Sequence, residues 1–114
     1  MPIIERLQYA YRTWLIIRRN MPRAEQFGIG SRIDFLFLET LEKLRKASFT
    51  KPKNKLLLLE ESSFLIDSLR FFLQISWESR LIPNNQYAAL GQSVEEVGRM
   101  VGGWQKKYLR KLPR

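Results

Sequence analysis

The chain has 114 residues, 45% hydrophobic and 27% charged, with a net charge of +9 from 20 Lys and Arg against 11 Asp and Glu. That length suits one domain spanning residues 1–114, and the composition lies well away from that of disordered chains. Cys and His are both absent, which removes disulfides, thiolate nucleophiles, the usual general base and the commonest metal ligand. The expectation is therefore a protein without catalytic residues, metal or cofactor.

The first helical segment runs from about Ile3 to Arg19, with Ile4, Leu7, Tyr11 and Trp14 at 3-4-3 spacing on one face. Asn20, Met21 and Pro22 break it, because the residue before proline leaves the helical region. A turn through Phe27, Gly28, Ile29 and Gly30 leads to a second segment, Ser31 to Ala47, with Ser31 as N-cap and Ile33, Phe37, Leu41 and Leu44 as its stripe. Ser48 to Asn54, containing Lys51, Pro52 and Lys53, reads as a polar loop. The third segment, Lys55 to Arg80, carries Leu58, Leu65, Leu69, Phe72 and Ser76 on one stripe. Phe64, Phe71, Ile75 and Trp77 fall largely off it. A helix apolar on two faces is expected to be buried on two faces, so the extra face predicts an oligomer interface through residues such as Phe71 and Ile75. Leu81, Ile82 and Pro83 close this segment, and Asn84 or Asn85 can cap the next. The fourth segment places Leu90, Val94, Val97, Val101, Trp104 and Tyr108 in heptad-like a/d register. Short connections between four such segments predict an all-α, antiparallel up-down-up-down four-helix bundle.

No apolar run reaches the roughly 18–20 residues of a membrane span, since Leu56–Leu59 is followed by Glu60 and Glu61. Residues Met1–Arg6 lack the pattern of a signal peptide, so the expected location is cytoplasmic, with no membrane partner. The positive charge argues for phosphates or acidic surfaces as partners, and its many Arg suit bidentate phosphate contact. Lys106, Lys107, Arg110, Lys111 and Arg114 recur at helical spacing as one cationic face. The helix dipole alone would account for one or two of them. A second cluster comprises Lys43, Arg45, Lys46, Lys51, Lys53 and Lys55; a third comprises Arg12, Arg18, Arg19 and Arg23. In an antiparallel bundle the first two clusters meet at one end, a candidate phosphate-binding surface with strong salt dependence. Gly98 and Gly102 share a helix face, and with Gly103 they read either as a close crossing that sets assembly geometry or as close packing within one bundle. Six Glu residues (Glu39, Glu42, Glu60, Glu61, Glu95, Glu96) lack the His partners of a di-iron site and read as solvated faces. Trp14, Phe37, Phe72 and Trp104 sit at core spacing.

Two strings, Phe27-Gly28-Ile29-Gly30-Ser31-Arg32-Ile33 and Glu96-Val97-Gly98-Arg99-Met100-Val101-Gly102-Gly103-Trp104, together with Leu69-Arg70 and Tyr87, resemble the accessory variability determinant family of diversity-generating retroelements. The similarity runs from about Tyr11 to Tyr108, and related four-helix proteins encoded in 23S ribosomal RNA intervening sequences share something like the first string. The resemblance implies a protomer assembling as a homopentameric barrel. It implies a positive surface that binds the element's reverse transcriptase and its template RNA, cDNA or RNA/DNA hybrid in support of mutagenic reverse transcription, without polymerising itself. Arg32, Arg70 and Arg99 are the basic positions it matches, and Gly98, Gly102, Gly103 and Trp104 the structural ones. The alternatives are a ribosomal-RNA-associated bundle and a purely structural basic helical oligomer.

Overall fold

The computed structural model describes residues 2–111. It contains five helices and, among the described residues, no strand: α1 (Pro2–Arg19), α2 (Arg23–Phe27), α3 (Ile29–Phe49), α4 (Pro52–Glu78) and α5 (Asn84–Leu109). Prolines set several of the starts. Pro2 and Pro52 occupy first-turn positions, and Pro83 sits just ahead of α5, where a missing N–H costs nothing and φ is already helical.

Each long helix touches two others, α3 with α4, α4 with α5, α5 with α1 and α1 with α3, which closes a ring 51 Å long and about 21–22 Å across. Directions alternate around it. Tyr11 on α1 donates to Asp34 on α3 (2.9 Å), Lys43 on α3 pairs with Glu61 on α4 (2.6 Å), and Arg70 on α4 pairs with Glu95 on α5 (2.7 Å). Arg6 on α1 and Glu96 on α5 close the last seam. One end of the ring thus holds the starts of α1 and α4 and the ends of α3 and α5; the other holds α2 and the four remaining termini.

The core is built from Ile3, Leu7, Ala10, Trp14 and Ile17 of α1; Ile33, Leu36, Phe37, Leu44 and Ala47 of α3; Leu59, Ile66, Leu69 and Leu73 of α4; and Leu90, Val94, Val97 and Val101 of α5. On α1 and α4 this shifts the expected stripe. Ile4, Tyr11, Leu58, Leu65 and Phe72 flank the core half-buried, while Ile3, Ala10, Leu59 and Ile66 lie inside it. Leu41, Trp104 and Tyr108 also flank it. Three small polar residues complete the interior. Thr40 and Ser62 donate to carbonyls one turn back (Leu36 and Leu58, 2.6 and 2.8 Å), and Ser76 has no hydrogen-bond partner among the described residues.

Four boundaries differ from those read off the sequence. The expected turn before Ser31 is instead the five-residue α2 followed at once by α3, so Gly30 is helical and Ser31 is no cap. Ser31 Oγ accepts from Arg18 (3.1 Å) and donates to the Gln26 carbonyl (3.2 Å), while Arg18 also donates to that carbonyl and pairs with Asp34 (3.6 Å). Arg18 is therefore a strut of the elbow rather than a free cation. Gly30 belongs to the same strut, because a Cβ there would lie 2.9 Å from the Glu25 carbonyl oxygen. The expected loop of 48–54 shrinks to Thr50–Lys51, because α3 continues to Phe49 and Pro52 starts α4 at once. The third long helix ends at Glu78, two residues early, and Arg80 adopts φ 64°, a left-handed conformation uncommon for a residue with a Cβ. Asn84 and Asn85 fall inside α5, with Pro83 at the cap position.

Candidate nucleic-acid interface

The end that gathers the termini of α3 and α5 is lined with cations from two distant stretches of chain. Lys46 lies in the last turn of α3, Lys51 caps α4 by position, Lys53 and Lys55 follow in its first turn, and Lys106 and Lys107 close α5, with Arg110 and Lys111 just beyond. All are exposed except Lys55, which is half-buried, and none forms an ion pair among the described residues. Arg114 lies outside the described residues. Glu5, in the first turn of α1, is an acidic residue at this end.

Lys55 joins the two stretches. Its ammonium lies 3.3 Å from the Tyr108 hydroxyl, 4.8 Å from the Tyr108 ring centroid and 5.5 Å from that of Trp104, and Lys111 covers the Tyr108 ring at 5.5 Å. These ring separations are cation–π distances. Hydrogen bonds from Trp104 and Lys55, with the charges of Lys55 and Lys107, hold the Tyr108 hydroxyl below its ordinary value of 10.0. The juxtaposition of these two basic clusters follows from the antiparallel topology, as expected.

Not every member of the clusters contributes. Lys43 is spent on Glu61, and Arg45 on Glu42 at 2.5 Å. The other basic candidates lie elsewhere. Arg12, Arg19 and Arg99 are exposed along α1 and α5, and Arg23 on α2 covers the Phe27 ring at the opposite end. Arg32 sits between the rings of Phe35 and Phe72 (5.8 and 5.9 Å), bridging α3 to α4. Arg70 is clamped by Asp67 and Glu95, both at 2.7 Å, which neutralise it and tie α4 to α5. A guanidinium held by two carboxylates is a poor free phosphate ligand.

The assembly candidates separate as well. Phe71 is exposed and Ile75 half-buried on the side of α4 opposite the core. There they continue a ridge, Leu57, Phe64, Ser68, Phe71 and Ile75, of which Leu57, Phe64 and Phe71 are exposed. Gly98 faces Ile66, where an added Cβ would make ordinary contact at 3.6 Å; Gly102 and Gly103 have open space. Close packing inside the bundle therefore accounts for neither Gly102 nor Gly103. Trp104 packs against the core beneath Lys55.

Two site roles escape the sequence reading: that of Tyr108, read there only as a packing position, which anchors Lys55, and that of Phe49, the most exposed large hydrophobic side chain described. The stripe ending at Leu44 and Ala47 already leaves Phe49 on the outer face of α3, and that was the available signal. At the opposite end, a pocket of about 600 Å³ is lined by Ile17, Asn20, Trp77, Arg80 and the start of α5, with Trp77 stacked on Tyr87. Among the described residues no three carboxylates gather as a metal site, and no helix is long and apolar enough to cross a membrane.

The chain is thus all-α, with one strongly cationic end and an exposed apolar ridge on α4. The bAvd-like family model matches residues 1–108, and the chain belongs to that family, one of accessory, non-catalytic proteins. No curated protein matches it.

Proposed function

We propose that this protein is the accessory subunit of a diversity-generating retroelement, binding the reverse transcriptase and template RNA or its cDNA to support mutagenic reverse transcription. Family membership supports the accessory role. The observation that carries nucleic-acid contact is the cationic end, where Lys46, Lys51, Lys53, Lys55, Lys106, Lys107, Arg110 and Lys111 stand without carboxylate partners among the described residues. Displacing counterions from a phosphate backbone by so many charges gives binding that weakens steeply as salt rises. The cytoplasm is the proposed compartment.

The ridge of α4 supports self-association, and in this reading the assembly is a homopentamer of one-domain protomers. Solution mass by light scattering then reads five times the chain's 13.6 kDa. Replacing Lys106, Lys107, Arg110 and Lys111 with Gln lowers RNA affinity and flattens its dependence on salt, the slope falling by roughly 0.7–0.9 for each phosphate no longer neutralised. An unchanged slope removes these four residues from the interface. Co-purification with the polymerase of a neighbouring retroelement tests the remaining partner.

A further inference from the structure

Phe49 ends α3 with 83% of its surface exposed, and among the described residues it makes no ring or cation contact. Leaving a phenyl ring in water forgoes the burial that most of the other aromatic rings have, at least in part. Its surroundings are cationic, with Lys46 one turn back, Lys51 and Lys53 just ahead, and Lys55 and the end of α5 across the same end of the ring.

A second copy of this end is a poor occupant, since it would bring another set of unpaired cations against the first. A nucleic acid is a good one, and the ring says which kind. Cations alone hold duplex and single strand alike through phosphates, but an aromatic side chain adds binding only where a base face is free to stack. In a duplex those faces are covered by neighbouring base pairs.

We infer that the cationic end takes single-stranded RNA, with an unpaired base stacked on Phe49 and its flanking phosphates on Lys46, Lys51 and Lys53. This deepens the proposed nucleic-acid role of that end and rests on it.

The test measures the full chain against a short oligouridylate and against an RNA duplex of equal length, across a salt series. Phe49→Leu keeps apolar bulk and removes the π face; Phe49→Tyr keeps the face. Single-strand affinity is expected to fall about five- to a hundredfold in Phe49→Leu and to persist in Phe49→Tyr. Duplex affinity and light-scattering mass should stay constant in both. Equal single-strand affinity in the wild type and Phe49→Leu overturns the stacking role, while the cationic end stands if the fourfold Gln variant still loses affinity. Binding to neither RNA overturns the nucleic-acid reading itself. A drop in mass in Phe49→Leu, or loss of binding to phosphatidylserine vesicles with RNA binding intact, reassigns Phe49 to a protein or lipid contact and overturns the inference.

Discussion

Single side chains decide more than their number suggests in so small a bundle. Gly30 is the glycine with a steric reason, because its missing Cβ would press to 2.9 Å on the Glu25 carbonyl. Gly30→Ala should cost about 1–3 kcal/mol, as overpacking against backbone does. At Gly102 and Gly103, with open space around each, Ala should stabilise the protomer by about 0.8–1 kcal/mol through helix propensity. Thermal melts should therefore move down for Gly30→Ala and up for the other two; a common direction would contradict the geometry. If instead Gly102→Ala lowers the solution mass, the space at that position is filled by a neighbouring copy. Ser76 buries a hydroxyl with no partner among the described residues, so Ser76→Ala should gain roughly 1 kcal/mol. Burial and the hydrogen bond to Asp34 hold the Tyr11 phenol above its ordinary 10.0. Stability from this pair is full below pH 10 and declines as pH rises beyond it, because the unfolded phenol ionises first. Tyr11→Phe should remove that part of the alkaline decline, which melts across the range from pH 9 to 11 would reveal.

Among the elements, α4 stands apart in having two seams. One, through Leu59, Ser62, Ile66, Leu69, Leu73 and Ser76, builds the core; the other runs along the opposite side through Leu57, Phe64 and Phe71. Phe64→Asp with Phe71→Asp should leave the helix content intact and reduce the solution mass to that of one chain, since a buried charge in an apolar contact costs several kcal/mol per copy. Persistence of the larger particle would place assembly elsewhere. This double character also explains where the sequence was and was not legible. On α3 and α5 a single stripe carried the phase, and Ile33, Phe37, Leu44, Leu90, Val94, Val97 and Val101 lie where the periodicity puts them. On α4 apolar residues surround the axis, so spacing alone leaves the rotation undetermined by a step, and two of its core positions are serines. α2 left no trace because five residues carry no repeat, and its elbow depends on Arg18 reaching across to Gln26 and Ser31.

For the whole molecule, the two ends are separate electrostatic bodies. They lie 51 Å apart, several times the roughly 8 Å screening length of physiological salt, so a ligand at one does not feel the other. The fourfold Gln variant should therefore change binding at its own end alone and leave the melting temperature nearly unmoved. Much of that charged surface was readable in advance, because antiparallel topology alone brings residues 46–55 beside 106–111. The cancellations between helices were not. Lys43 with Glu61, Arg70 with Glu95 and Arg18 with Asp34 join residues 16–25 positions apart, whose pairing needs the rotation of both helices.

The alternation of helix direction around the ring has one more result. Two helix starts and two helix ends meet at each face of the cylinder, so their macrodipoles largely offset one another. The sign of the cationic face is therefore written in side chains alone, most of which hold nothing together inside the bundle. Such a scaffold separates the code for its shape from the code for its companions: the outward letters can be rewritten, even to the opposite sign, while the cylinder beneath them keeps the same stability.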